Sequence, residues 1–330
     1  MRKALGAVLV GIGIFGVVLA ILLPTVVVSA SSKTPLNLNI TQVSTGSAKL
    51  LNATSGKVDD VQLRATRHVR TDSHLSDSTN TTVLETLCIV VVSGSTPNCL
   101  PSSDPRLLTI STDQVTANRR SGEAVHIAKY NENINGKPAR HSGMSYKFPI
   151  NTKKKTYQFF QPDVAKAFPA TYHGTSKIDG LTVYKFISRT GTQPYKILGT
   201  LPGTYDDTRT VYVEPKTGTI VDGTEKQVQT LASGQVALAT TLSFTDGAIK
   251  YQSDFAQNKI DQLNDAKVKV PVLAGIIGLL ALAGGIFLLL RARSSGNGGT
   301  HRDADQTPDT DGRGVVPPDG YPAGGQPSYS

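Results

Sequence analysis

Polar residues are missing from two stretches of the chain and alternate with apolar ones through most of what lies between. Residues 4–23 carry no charge, and apolar character continues past Pro24 to Val28. Residues 270–290 are again uncharged. A helix of about 20 residues crosses the ~30 Å hydrocarbon core of a bilayer, so 4–28 and 270–290 read as transmembrane helices. Between them the period is two. In "VQLRATRHVR" (61–70), Val61, Leu63, Ala65, Arg67 and Val69 alternate with polar neighbours, the pattern of a strand with one buried face. Residues 106–120 and 122–130 read as strands parted by Ser121-Gly122, and 180–188 as another entered from Asp179-Gly180. The clearest run is 209–247: a strand ending at Val213, a Glu-Pro-Lys-Thr-Gly turn, a return strand over 219–231, a turn at 232–235 and a strand over 236–244. Helix is scarce here. Pro162 with Asp163 beside it suits a short helix over 162–168. Ile249, Phe255, Ala256, Ile260 and Leu263 recur near helical spacing over 248–267, in an amphipathic helix feeding the second apolar stretch.

Charge orients these segments. Arg2 and Lys3 precede the first apolar stretch, and Arg291 and Arg293 follow the second. The positive-inside rule makes the first pair cytoplasmic; Lys267 and Lys269 on the other side of the second stretch leave its pair ambiguous alone, and a chain that starts inside and crosses twice must end inside. Residues 1–3 are then a cytoplasmic N-terminus, 31–267 an extracytoplasmic β-rich domain, and 291–330 a cytoplasmic tail. Val28-Ser29-Ala30 would also serve a signal peptidase, so a cleaved signal peptide stays open as the alternative for the first stretch. The tail is Gly, Pro, Ser, Asp and Thr with few aliphatics, a composition that favours disorder. The fold class expected is a membrane-anchored α+β protein with an antiparallel, curved half-barrel-like domain between two transmembrane helices. Cys88 and Cys99 are the only cysteines, and Ser-Gly-Ser-Thr-Pro-Asn between them can turn the chain back. Outside the cytoplasm such a pair oxidises, which predicts one disulfide.

Chemistry is sparse. No nucleophile elbow, His-Glu-x-x-His, phosphate-binding loop or Cys-x-x-Cys occurs in the sequence, so no catalytic residue, metal or cofactor is assigned and an enzyme is not expected. His68, Asp72, His74 and Asp77 come nearest to a metal set, but His68 falls on the outward face of its strand. Asp206-Asp207 follows Pro202-Gly203 and reads as a solvated loop pair. From 31 to 269 there are 28 Lys/Arg against 20 Asp/Glu. In an extracytoplasmic domain that surplus points to anionic headgroups rather than nucleic acid. One stretch, "KKKTYQFFQPDVAKAFPATYHGT" (153–175), joins lysines to aromatics. There Tyr157, Phe159, Phe160, Val164, Phe168 and Tyr172 are the candidate apolar lining of a ligand site, and Lys153, Lys154 and Lys155 its candidate headgroup contacts. In the second apolar stretch Ala274, Gly278, Ala281 and Gly285 share a helix face, and Gly13, Gly16 and Ala20 do so in the first. Small residues of this kind let membrane helices approach closely.

The order Arg120-Ser121-Gly122-Glu123-Ala124-Val125, Lys147-Phe148-Pro149, Thr152-Lys153-Lys154-Lys155-Thr156-Tyr157, Pro169-Ala170-Thr171-Tyr172-His173-Gly174-Thr175, Gly180-Leu181-Thr182-Val183-Tyr184, Arg209-Thr210-Val211-Tyr212-Val213-Glu214-Pro215-Lys216-Thr217-Gly218 and Phe244-Thr245-Asp246 resembles the actinobacterial domain family of unknown function DUF3068. Its members are commonly labelled the porin PorA family. The two-span layout matches as well, so the resemblance covers about residues 1–293. Here His126-Ile127 stand where cysteines are expected in many members, and Tyr212 where Trp is frequent. The family brings no catalytic residues. Its label implies a pore, yet two apolar helices already hold this chain in a membrane and its strands carry no clear aromatic girdle. The hairpin 209–229 also resembles the Val-x-Pro-x-Thr-Gly hairpin of envelope lipoprotein carriers, whose curved half-barrels hold lipid chains. Three functions follow as expectations. The first is a cell-envelope membrane protein that binds or hands on envelope lipids, with membrane lipids and an envelope lipid transporter or other membrane protein as partners. The others are a pore and a scaffold of envelope or growth machinery.

Overall fold

The computed structural model describes residues 2–31, 33–52 and 54–294. Helix α1 (Arg2–Ser31) comes first. Thirteen strands follow: β1 (Asn39–Leu51), β2 (Val58–Asp72), β3 (Asn80–Val91), β4 (Leu107–Asn118), β5 (Asn133–Ile134), β6 (Lys137–Pro138), β7 (Tyr157–Gln161), β8 (Lys166–Ile178), β9 (Leu181–Arg189), β10 (Gln193–Ile197), β11 (Leu201–Glu214), β12 (Thr219–Leu231) and β13 (Val236–Phe244). Helix α2 (Asp246–Asn264) then runs through one widened turn at Asp265–Lys269 into α3 (Val270–Ser294). The strands expected over 61–70, 106–120, 180–188, 219–231 and 236–244 form close to their expected bounds, and α2 joins α3 as its periodicity predicts.

Three local expectations are corrected. Residues 162–168 are not a helix. Pro162–Val164 make a single 3-10 turn, Ala165 adopts a left-handed φ of 50°, and Lys166 opens β8. A helix of two turns is marginal alone, and here Phe168 and Ala167 complete a ladder with Phe159 and Phe160. Residues 122–130 are not one strand. Glu123 and Ala124 make isolated bridges, and Ala128–Tyr130 form a 3-10 turn. Asp206-Asp207 do not lie in a loop, because β11 runs unbroken between β10 on one side and β12 on the other.

All the strands form one antiparallel sheet in the order β6-β5-β4-β3-β2-β1-β13-β12-β11-β9-β8-β7, with β10 beside β11. Successive side chains on a strand point to opposite faces, so β2 turns Leu63, Ala65, Arg67 and Val69 inward while Arg70 stands exposed. A twisted sheet of this size curls. Two short segments stitch its ends together. Ala124 bridges Ala117 of β4, Glu123 bridges Met144, and Met144 bridges Phe159 of β7. Met144 N–H donates to the Gln158 carbonyl at 2.9 Å, and its carbonyl accepts from Phe160 N–H at 2.7 Å.

Beside this seam lies an aromatic core. The Phe148 ring, fully buried, stacks on Phe186 at 4.7 Å and Phe159 at 5.6 Å and meets Tyr157 edge-on at 5.5 Å. Helix α2 is capped by Thr245, whose hydroxyl accepts from Ala248 N–H, the usual N-cap device. Its Ala256 and Ile260 pack on Leu181, Val183 and Val221.

Helices α1 and α3 are each long and apolar enough to cross a membrane and run antiparallel against one another. A Cβ on Gly13 would meet Leu282 N at 2.6 Å and the Gly278 carbonyl at 2.8 Å. One on Gly285 would meet Val10 N at 2.8 Å and the Gly6 carbonyl at 2.9 Å. The small-residue face expected on the second stretch therefore meets the first stretch through Ala274, Gly278 and Gly285. Gly6 joins Gly13, Gly16 and Ala20 on the opposing face. Outside that contact Phe15, Ile21 and Leu280 are about two-thirds exposed, which apolar side chains tolerate in lipid.

Cys88 and Cys99 are bonded, with Cα atoms 5.7 Å apart. Cys88, Val90, Leu100 and Leu107 form a small cluster under the loop that the bond ties down. Cys99→Ser is expected to lower the stability of the sheet by about 2–3 kcal/mol, the scale for a short closed loop, read as a drop in denaturant midpoint.

Candidate ligand cavity

The curled sheet encloses a cavity of about 300 Å³ whose wall comes from β1, β2, β3, β4, β7, β10, β11, β12, β13 and α2. Its lining changes character along its length. At one end Leu63, Leu87, Ile89, Leu108, Leu238 and Leu242 form an apolar pocket. Across the middle runs a charged belt of Arg67, Gln161, Asp163, Arg209 and Glu225. The other end is built from the segment just after α1 (Lys33, Thr34, Pro35), from Lys147 and Ile150, from the β11–β12 turn and from Gln252, Phe255, Lys259 and Leu263 of α2. That end abuts the segments leading into both apolar helices.

The belt is a bonded network. Arg209 donates to Glu225 at 2.9 Å and to Gln161 Oε1 at 3.4 Å. Gln161 Nε2 donates to Tyr205 Oη at 2.7 Å and to Asp207 Oδ2 at 2.9 Å, and Tyr205 donates to Asp163 at 3.3 Å. Burial is the largest influence on Glu225 and opposes its ionisation, but Arg209 and Arg67, with the hydrogen bonds from Arg209 and Gln161, together hold the carboxyl below its ordinary range. Asp207 is 3 % exposed, and among the described residues it makes no ion pair and its Oδ1 has no hydrogen-bond partner. Burial, then the charge of Glu225, pushes it up to about 7. Beside the belt Arg67 pairs with buried Glu85 at 3.5 Å. On the seam side His141, fully buried, lies between Asp113 at 2.6 Å and Glu132 at 3.2 Å.

The residues expected to line a ligand site are placed as follows. Phe159 lines the cavity. Tyr157 points with it into the aromatic core, while Phe160, on the other face, packs against His141 with ring centroids 4.5 Å apart. Val164 and Phe168 are half-buried at the β7–β8 hairpin, and Tyr172 packs on Tyr184 and Phe186. Lys153, Lys154 and Lys155 are exposed. Lys154 lies over the Tyr172 and Tyr184 rings, Lys155 over Tyr157, and Lys153 N–H donates to Tyr157 Oη at 2.7 Å. These lysines cover the aromatic core from outside. The cavity's own cations are Lys33, Arg67, Lys147, Arg209, Lys216 and Lys259. Arg67 was legible, since it shares parity with Leu63, Ala65 and Val69. Lys147 was not, because it lies outside any periodic segment.

Among the described residues no three His, Cys, Asp or Glu side chains are grouped to hold a metal ion. His68 instead bonds Asn39 at 2.6 Å, and Asp72 and Asp77 accept from backbone N–H groups of the turns that follow them.

A family model described as Porin PorA matches residues 5–287, which include the whole sheet and most of both apolar helices. A curated relative from Corynebacterium resistens, named Porin PorA, is 25% identical over 224 residues. The match covers 56% of this chain and 52% of the relative, so the chain spans about half the length of the curated protein it matches. The chain belongs to the Porin PorA family.

Proposed function

We propose that this is a non-enzymatic cell-envelope protein, held in the membrane by α1 and α3 with both ends cytoplasmic and the sheet outside. Its cavity takes up the apolar part of an envelope lipid and hands it on, as an accessory to a lipid transporter. The observation that carries this reading is the cavity with its leucine-lined end and its position against the segments entering the two helices. Its volume lies at the lower edge of the roughly 300–1,000 Å³ usual for small-ligand sites. Native mass spectrometry of the full chain released from a membrane mimetic is expected to show a bound lipid, identified after extraction. Leu238→Glu places a charge in the apolar end and is expected to reduce that adduct about tenfold or more, because a lipid tail cannot solvate the charge. A full chain that stays free of lipid after exposure to an envelope-lipid extract overturns the reading.

Family membership favours a second reading, a pore. The outward face of the sheet carries exposed Lys49, Asp60, Arg70 and Lys226, whereas a barrel in lipid needs an apolar outer band. Such a pore would therefore be built by the helices of several copies. Discrete conductance steps from the purified chain in planar bilayers, with no lipid adduct, favour it.

A further inference from the structure

We propose that the end of the cavity beside the membrane helices is a binding site for a phosphate group, with Lys147 at its centre and Lys33, Lys216 and Lys259 around it. The proposal rests on reading the cavity as a ligand site and names what the polar part of that ligand is.

Lys147 carries the argument. Its Nζ donates to Thr34 Oγ1 at 3.2 Å and to the Arg119 carbonyl at 3.4 Å. Both acceptors are neutral, both contacts are long for N–H···O, and an ammonium has a third proton to give. No ion pair to Lys147 occurs among the described residues. A cation set among protein atoms without a counter-charge is costly, and this one lines the cavity. Burial alone pushes its amine down to about 8, a cost that a bound anion would relieve.

Three further lysines reach the same cavity from separate elements. Lys33 directly precedes Thr34. Lys216 sits on the β11–β12 turn, which is bonded to the segment after Lys147 through Asn151 and Thr152. Lys259 enters from α2. The cavity's own carboxylates are Asp163 and Glu225 in the belt, and Glu225 is already paired with Arg209. A phosphate offers several strong acceptor oxygens to ammonium groups, each acting as a compact charge. Its source is either a phospholipid headgroup, with the tail toward the leucine end, or free phosphate.

The test titrates the full chain in detergent with dihexanoyl phosphatidylglycerol, with dihexanoylglycerol, which has the same acyl chains and no phosphate, and with inorganic phosphate. Phosphatidylglycerol is expected to bind about tenfold tighter than dihexanoylglycerol, the effect of one charge-assisted contact. Lys147→Met is expected to erase that preference. Lys216→Gln alters an exposed turn, so it spares the fold, and is expected to reduce the preference about threefold. Competition by inorganic phosphate assigns the site to the phosphate itself, and its absence assigns it to the lipid headgroup. Equal binding of both lipids, unmoved by either variant, overturns the phosphate site and leaves the lipid reading standing. Inorganic phosphate binding without either lipid keeps the site and overturns the lipid reading. No binding of any probe overturns both.

Discussion

Phe148→Ala is expected to lower the stability of the sheet by about 3–5 kcal/mol, the range for truncating a fully buried aromatic. The position makes the upper part of that range the expected one. Phe148 belongs to no strand, yet its ring contacts Tyr157 and Phe159 of β7 and Phe186 of β9. Its backbone is fixed from the opposite side, where its N–H donates to the Gly218 carbonyl at 2.9 Å in the β11–β12 turn. That turn admits no side chain. Gly218 has a φ of +75°, and a Cβ there would lie 2.1 Å from the Phe148 carbonyl oxygen. The surroundings cannot collapse into the vacated space without breaking these backbone contacts, so the cavity term persists. The same segment carries Met144, which bridges β7 on the way to β4. Losing the ring should therefore loosen the seam as well as the core. Denaturant unfolding checks this: the midpoint falls and the slope is kept. A loss below about 1 kcal/mol would mean that the backbone bridges alone hold the sheet closed.

Much of this architecture is legible in the sequence because its period-two alternation is strong where strands are long. β2 buries Leu63, Ala65 and Val69 on one face and keeps the other polar, and the turns flanking β12 carry Pro and Gly chemistry. The apolar helices and the disulfide are legible from composition and spacing alone. What fails does so where tertiary contacts override a local signal. Pro162-Asp163 is a sound helix start, but the ladder between β7 and β8 takes the residues that follow. Asp207 reads as solvated from its neighbours. It is buried because Gln227 of β12 pairs with it on one side and Thr190 bonds its backbone on the other, and sequence does not reveal pairing partners that lie far away. The candidate site divides in the same way. Of the aromatics of 157–172, Tyr157, Phe159 and Phe160 are buried and Phe168 and Tyr172 half-buried; most of them fill a core, and only the strand register shows which face turns to the cavity. Lys147 and the α2 side chains meet at that cavity only through the closure of the sheet.

At pH 8, Asp207→Asn is expected to leave the chain more stable than the natural protein by on the order of 2 kcal/mol, and at pH 4 to change little. Burial, reinforced by the charge of Glu225, raises the folded pKa of Asp207 from 3.8 to about 7. An acid whose pKa is raised on folding binds its proton more tightly in the folded state. Its contribution to stability is therefore complete below about pH 4 and is lost as the pH climbs through 7. A tenfold gain in proton affinity on folding is worth about 1.4 kcal/mol. The rise at Asp207 therefore sets an upper bound of about 4 kcal/mol, and relaxation of the belt absorbs part of it. Asparagine removes the charge and keeps an oxygen for Gln161 Nε2, which now donates to Oδ2 at 2.9 Å. Arg209 does not lose its partner, because its ion pair is with Glu225. Unfolding curves at pH 4, 6 and 8 on both proteins decide the matter. Parallel pH profiles would show that Arg209 keeps Asp207 ionised despite its burial. The belt would then carry a fixed negative charge across the whole range. Converging profiles toward pH 4 place the titration at Asp207. The belt then gains a negative charge only near neutrality, and any ligand passing between the basic and apolar ends of the cavity meets a barrier that rises with pH.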